Sequence, residues 1–145
     1  MAALKFIFTS LALYAVSFTG YTQSVKTIDS LQEHYQNCLD NGKNISGCSI
    51  MFYRQMDSMF NIVYNKLRLS LNPAQQTSLA KEQTNWLTKR DRYFKTTLGK
   101  LKKANQLRVV KGMQPNSKDD MMLMCDANGE FVKSRVVALI KKLNN

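Results

Sequence analysis

Apolar residues recur at spacings of three and four along most of the chain, the signature of helices that bury one face. Ile28, Leu31, Tyr35 and Cys38 set this rhythm between Thr27 and Leu39 and predict a short amphipathic helix, with Ser30-Leu-Gln-Glu33 reading as a capping box. Asp40-Asn41-Gly42 then ends the helix, and a polar loop runs on to Gly47. From Ser49 to Leu71 the positions Phe52, Met56, Met59, Phe60, Val63, Tyr64 and Leu67 predict a second, longer helix. Asn72-Pro73 starts a third at once, because Asn is a preferred cap and Pro suits the first helical position. So short a connection makes the two helices antiparallel neighbours.

The third helix carries Leu79, Gln83, Trp86, Arg90 and Tyr93 on one stripe and is expected to run past Leu98 and Leu101. Asp119 and Asp120 open the last ordered segment. Val132, Val136, Leu139 and Leu143 mark a C-terminal helix whose dipole Lys141 and Lys142 complement, and Asn128-Gly129 reads as a break before it. The predicted fold is all-α: a small antiparallel bundle of three or four helices, built on the pair from Ser49 to about Leu101.

Met1 to Thr22 stands apart. Lys5 precedes Phe6-Ile7-Phe8 and Leu11-Ala12-Leu13-Tyr14-Ala15-Val16, followed by small and polar residues around Gly20. That is the layout of a secretory signal, with an uncleaved anchor as the other reading. Residues 1–22 are therefore set aside as a signal peptide and 23–145 as a single domain without a transmembrane span, periplasmic or secreted. No Cys near the exit supplies a lipid anchor. The composition, 44% hydrophobic and 10% aromatic with two Pro and six Gly, fits a compact helical protein better than a disordered or all-β one.

Charge adds a candidate surface. The formal net charge is +11, and loss of Lys5 leaves +10. Residues 92–118 hold eight Lys or Arg and no acid: Arg92, Lys95, Lys100, Lys102, Lys103, Arg108, Lys111 and Lys118. Gly99, Gly112 and Pro115 predict that the helix ends within this stretch and that a mobile basic loop spans about 99–118. Such a segment suits an anionic envelope polymer or lipid; the signal argues against nucleic acid.

The polar residues read as structural. Asp57, Asn61 and Tyr64 share a face of the second helix, and Gln83, Trp86 and Arg90, with Asp91, lie on the third. We expect an interhelical network in which Asp57 accepts from Arg90. No nucleophile motif, phosphate loop or dinucleotide fingerprint is present, and His34 is the only histidine. The chain reads as a non-enzymatic protein without a cofactor.

Three features resemble the N-terminal domain of the LprI-like lysozyme-inhibitor family, small exported helical domains of bacteria. These are the cysteine pair Cys38 and Cys48, the helix with Asp57, Asn61 and Tyr64, and the helix with Leu79, Gln83, Trp86, Arg90 and Asp91. Cys125 ahead of Arg135 and Leu139 matches more loosely. Where the family often carries a Cys three residues after the Arg-Asp pair, this chain has Phe94, which leaves three cysteines. The resemblance implies a binding protein that inhibits lysozyme or another cell-wall hydrolase. It favours a Cys38–Cys48 disulfide; the residues alone also admit either pairing with Cys125, or a zinc site from His34 and the cysteines. Animal lysozymes are basic, so inhibition by a protein at +10 requires a local acidic patch. Asp119-Asp120 and the segment from Asp126 to Glu130 are the candidates.

Overall fold

The computed structural model describes residues 25–42, 44–115 and 118–145; the segment read as a signal, 1–22, lies outside them. Four helices account for nearly all of the described residues: α1 (Val25–Asp40), α2 (Ile45–Ser70), α3 (Pro73–Val110) and α4 (Lys118–Leu143). No strand occurs among the described residues.

The helix boundaries follow local chemistry. Asn72 accepts from the Gln75 amide at 3.0 Å while the Gln75 side chain accepts from the Asn72 amide at 3.1 Å, and Pro73 opens α3. Asn44 caps α2 by accepting from the Gly47 amide at 3.2 Å. The capping box expected at Ser30 and Glu33 is not used, because α1 already begins at Val25. At the far end of α3, Gly112 takes φ +69° and the Met113 amide turns back to the Arg108 carbonyl at 2.9 Å. That left-handed residue supplies the stop that a helix of L-residues cannot make cheaply.

Two expected breaks do not occur. The basic loop predicted from about residue 99 is helix as far as Val110, since Gly99 faces open solvent and its flanking residues are good helix formers. Likewise, α4 passes unbroken through Asn128-Gly129. Asn128 accepts from the Thr97 hydroxyl at 2.8 Å, and Gly129 lets α4 approach Phe52 and Tyr53 of α2.

That close approach sets the architecture. The principal partner of α2 is α4, not α3. The two run in the same direction, Gly129 lying against Phe52 and Tyr53 while Leu67 and Lys142 line one crevice at the other end. α3 runs antiparallel to α2, as expected, but meets it largely through aromatic side chains: Tyr53 against Phe94 at 5.8 Å and Phe60 against Trp86 at 4.9 Å. α1 packs on α2 and α4 and makes no backbone approach to α3, so the α2–α4 pair separates the two. The core consists chiefly of Phe52, Met56 and Val63 from α2, Val132, Val136, Leu139 and Ile140 from α4, and Ile28 from α1. Burying each such side chain stabilises the fold by about 1.5–3 kcal/mol.

Cys38 and Cys48 form a disulfide that ties the end of α1 to the start of α2, and Cys125 is free and buried. A loop of this size adds about 2–3 kcal/mol. The bond also withdraws both sulfurs from the alternative zinc site. No helix among the described residues is long and apolar enough to cross a membrane.

Candidate functional site

The buried guanidinium of this fold is Arg135, from α4. Its Nη1 donates to Glu82 at 2.7 Å, its Nη2 donates to the Gln83 side-chain oxygen at 2.9 Å, and its Cζ lies 5.8 Å from the centroid of the Trp86 ring. Lys142 also donates to Glu82. Gln83 and Trp86 thus join an interhelical network, but with a different arginine from the one expected. The predicted Asp57–Arg90 fork is not made. Arg90 lies at the outer edge of α3, over Trp86 and Phe94, and donates to its neighbour Asp91 at 2.9 and 2.7 Å. Because α4 packs between the hairpin arms, it brings its own cation to Gln83. Asp57, Asn61 and Tyr64 instead make local contacts within α2: Asn61 donates to the Asp57 carbonyl at 3.0 Å and Tyr64 stacks on Phe60.

Helical periodicity alone assigns Arg135 no partner. The signal was available: Arg135 sits three residues after Val132 and four before Leu139, within an apolar stripe where a charge needs a partner.

Glu82 carries a measurable consequence. Hydrogen bonds from Arg135 and then Lys142 hold its carboxyl below the usual value of 4.5, against a smaller opposing effect of burial. A depressed folded pKa means stability that is fully present above pH 4.5 and lost as pH falls through the lowered value. Acid unfolding of wild type and Glu82→Gln should therefore differ most above pH 4.5 and converge below it. A constant difference at every pH would remove the ion pair from the account.

Around this network lies an aromatic seam. Phe131 of α4 stacks on Tyr93 at 4.4 Å and Trp86 at 5.9 Å and meets Phe94 edge-on at 6.4 Å. Phe94 occupies the position where the resembling family often has a cysteine, and packing between Tyr53 and Phe131 gives it a use there. Burial pushes the Cys125 thiol up, with Arg54 offsetting only part of the rise, so the thiolate needed for reaction is disfavoured.

On the opposite side, the Tyr35 hydroxyl shares a hydrogen bond with Ser49 and donates to Asp126, each at 3.0 Å, while its ring stacks on Phe52 at 4.5 Å. Ser49 is wholly buried and has no histidine or carboxylate base beside its hydroxyl. It serves as a polar stitch between α1 and α2. A crevice of about 300 Å³ between α3 and α4 is lined mainly by Leu101, Ala104, Leu123 and Met124, with Asp120 already holding Arg108 at 2.8 Å. No cluster that would hold a metal occurs among the described residues.

A basic row and an acidic row lie on different helices, α3 and α1, with further exposed cations at Arg54 and Arg68 of α2 and at Lys118, Lys141 and Lys142 of α4. Arg92, Lys95, Lys100, Lys102 and Lys103 are exposed on α3, with Lys81 and Lys89 extending the row toward its start. Arg108 is tied to Asp120, and Lys111 terminates the helix. The acids expected to form a patch are largely engaged: Asp120 by Arg108, Asp126 by Tyr35, and Glu130 by Lys133 at 2.9 Å. A better acidic row lies on α1. Asp29, Glu33 and Asp40 are spaced by four and seven, so they share one stripe, and all three are exposed. Lys26 offsets the row at one end.

Together these features define a small, disulfide-clasped helical protein with an acidic row on α1 and a basic row on α3. The chain belongs to the LprI family of lysozyme inhibitors, whose family pattern, described as "Lysozyme inhibitor LprI", matches residues 36–123. The match takes in the disulfide, the α2–α3 turn and the Trp86-to-Asp91 segment, and ends before Arg135. No curated protein and no solved structure matches the chain.

Proposed function

We propose that the protein is exported and acts without catalysis, inhibiting lysozyme-like cell-wall hydrolases through the acidic outer face of α1. The observation that carries this reading is the exposed acidic row of α1 in a chain of the lysozyme-inhibitor family. Asp29, Glu33 and Asp40 face outward from α1, whereas the lysine row faces outward from α3, and the α2–α4 pair lies between. Two interhelical spacings amount to about 16–20 Å. Screening in physiological salt acts over about 8 Å, so a basic partner on α1 is largely shielded from the α3 lysines. Net charge therefore does not decide the contact; the local face does.

The Cys38–Cys48 clasp supports the same reading. It anchors the end of α1 that carries Asp40, and an oxidising compartment is where such a bond persists. The test is binding to an immobilised basic lysozyme. Reversal of two acids, Asp29→Lys with Glu33→Lys, should weaken binding about tenfold, mainly through slower association. Neutralising Lys95 and Lys102 on α3 should leave it nearly unchanged. Equal effects from both changes would sink the α1 assignment.

A further inference from the structure

Helix α3, with 38 residues, is the longest of the four. Beyond Leu101 its described packing is with the first turns of α4, through the crevice and the Arg108–Asp120 pair. Lys100, Lys103, Leu107 and Val110 follow one another at spacings of three, four and three, so two cations and two aliphatic side chains form a single outward stripe. Leu107 is 53% exposed and Val110 79%. Lys102 and Val109 are exposed about 100° farther round the same tip, and the turn after the helix adds Lys111 and an exposed Met113. Single exposed aliphatics are ordinary; four at one tip, interleaved with lysines, are not. No carboxylate occurs between residues 92 and 118, and Asp120 is engaged with Arg108.

From this we infer that the α3 tip docks on anionic lipid bilayers, with Leu107, Val109, Val110 and Met113 entering the headgroup boundary and Lys100, Lys102, Lys103 and Lys111 meeting lipid phosphates. The mixture of side chains selects the occupant. A soluble polyanion would use the lysines and leave Val110 in water, whereas a bilayer interface accepts both chemistries at once. Lysine stems reach over apolar surface while their ammonium groups stay at the headgroups. The tip shares no residue with the acidic row of α1, so this inference and hydrolase inhibition stand or fall separately.

The experiment is flotation of the purified protein with vesicles of phosphatidylglycerol and phosphatidylcholine, against phosphatidylcholine alone. A Val110→Trp variant serves as reporter, with wild type correcting for Trp86. Binding is expected only to the anionic vesicles, with a blue-shifted reporter quenched by brominated acyl chains. Lys102→Gln with Lys103→Gln should weaken partitioning about twenty-five-fold at low salt, from about fivefold per lysine. Leu107→Ser with Val110→Ser should weaken it about tenfold or more, as apolar burial is lost. All these positions are exposed, and unchanged circular dichroism verifies the fold of each variant. Three results would overturn the inference: no binding to anionic vesicles; wild-type binding by the Leu107→Ser, Val110→Ser variant with equal displacement by soluble polyphosphate; or a reporter shift that tracks protein concentration without vesicles, which would mark self-association.

Discussion

Replacing Arg135 by alanine is expected to lower the free energy of unfolding by about 3 kcal/mol, because a buried polar pair loses one partner while the other stays buried. The Gln83 oxygen loses its donor at a site only 6% exposed, and Trp86 loses the guanidinium above its ring. Glu82 softens the effect: it is partly exposed and keeps Lys142, which places the cost at the low end for a broken buried pair. Removing both polar partners should do less harm than removing one. Arg135→Met combined with Gln83→Leu fills the space and leaves neither group unpaired, so its urea midpoint should lie above that of Arg135→Ala. A single mutant within about 0.5 kcal/mol of wild type would show that Arg135 behaves as a surface residue.

Alanine at Gly129 and alanine at Gly99 are expected to change stability in opposite directions. In an open helix the exchange gains up to about 1 kcal/mol from propensity. At Gly99 a Cβ meets nothing within 4 Å, so that gain should appear in full. At Gly129 the same atom would sit 2.8 Å from Cδ1 and 3.0 Å from Cε1 of Phe52. The Phe52 ring cannot retreat easily, being 1% exposed and stacked on Tyr35 at 4.5 Å. Overpacking of this kind costs about 1–3 kcal/mol and outweighs propensity, and leucine at Gly129 would force α2 and α4 apart and cost more. Thermal unfolding of the two alanine variants gives the comparison directly. A stabilised Gly129→Ala would contradict the tight α2–α4 packing.

These two sites also show where sequence reading succeeds and where it stops. Spacings of three and four mark α1, α2, α3 and the second half of α4, and Asn72-Pro73 marks the α2–α3 turn, because periodicity and capping are local properties. Glycine is ambiguous at that level. Gly99 is tolerated helix, Gly112 is a true left-handed stop, and Gly129 is a point of close packing, yet all three read as potential breaks. Choice of partner is not local at all. The stripe bearing Gln83 and Trp86 was visible, but whether Arg90 or Arg135 reached Gln83 depended on which helix filled the space against α2. Among three cysteines, spacing left the pairing open, and the family resemblance favoured the Cys38–Cys48 bond that forms. The acidic row of α1 was legible in principle, since Asp29, Glu33 and Asp40 share a helical stripe. Acids close together in sequence, Asp119-Asp120 and Asp126 to Glu130, give the stronger local signal.

The most direct measurement is the rate at which a basic animal-type lysozyme clears a bacterial cell-wall suspension as the protein is titrated in, at about 0.15 M salt. Clearing should stop at a fixed molar ratio, and the Asp29→Lys, Glu33→Lys protein should need about ten times more to reach the same inhibition. Undiminished clearing at every ratio, or identical inhibition by the charge-reversed protein, would contradict inhibition through the α1 face.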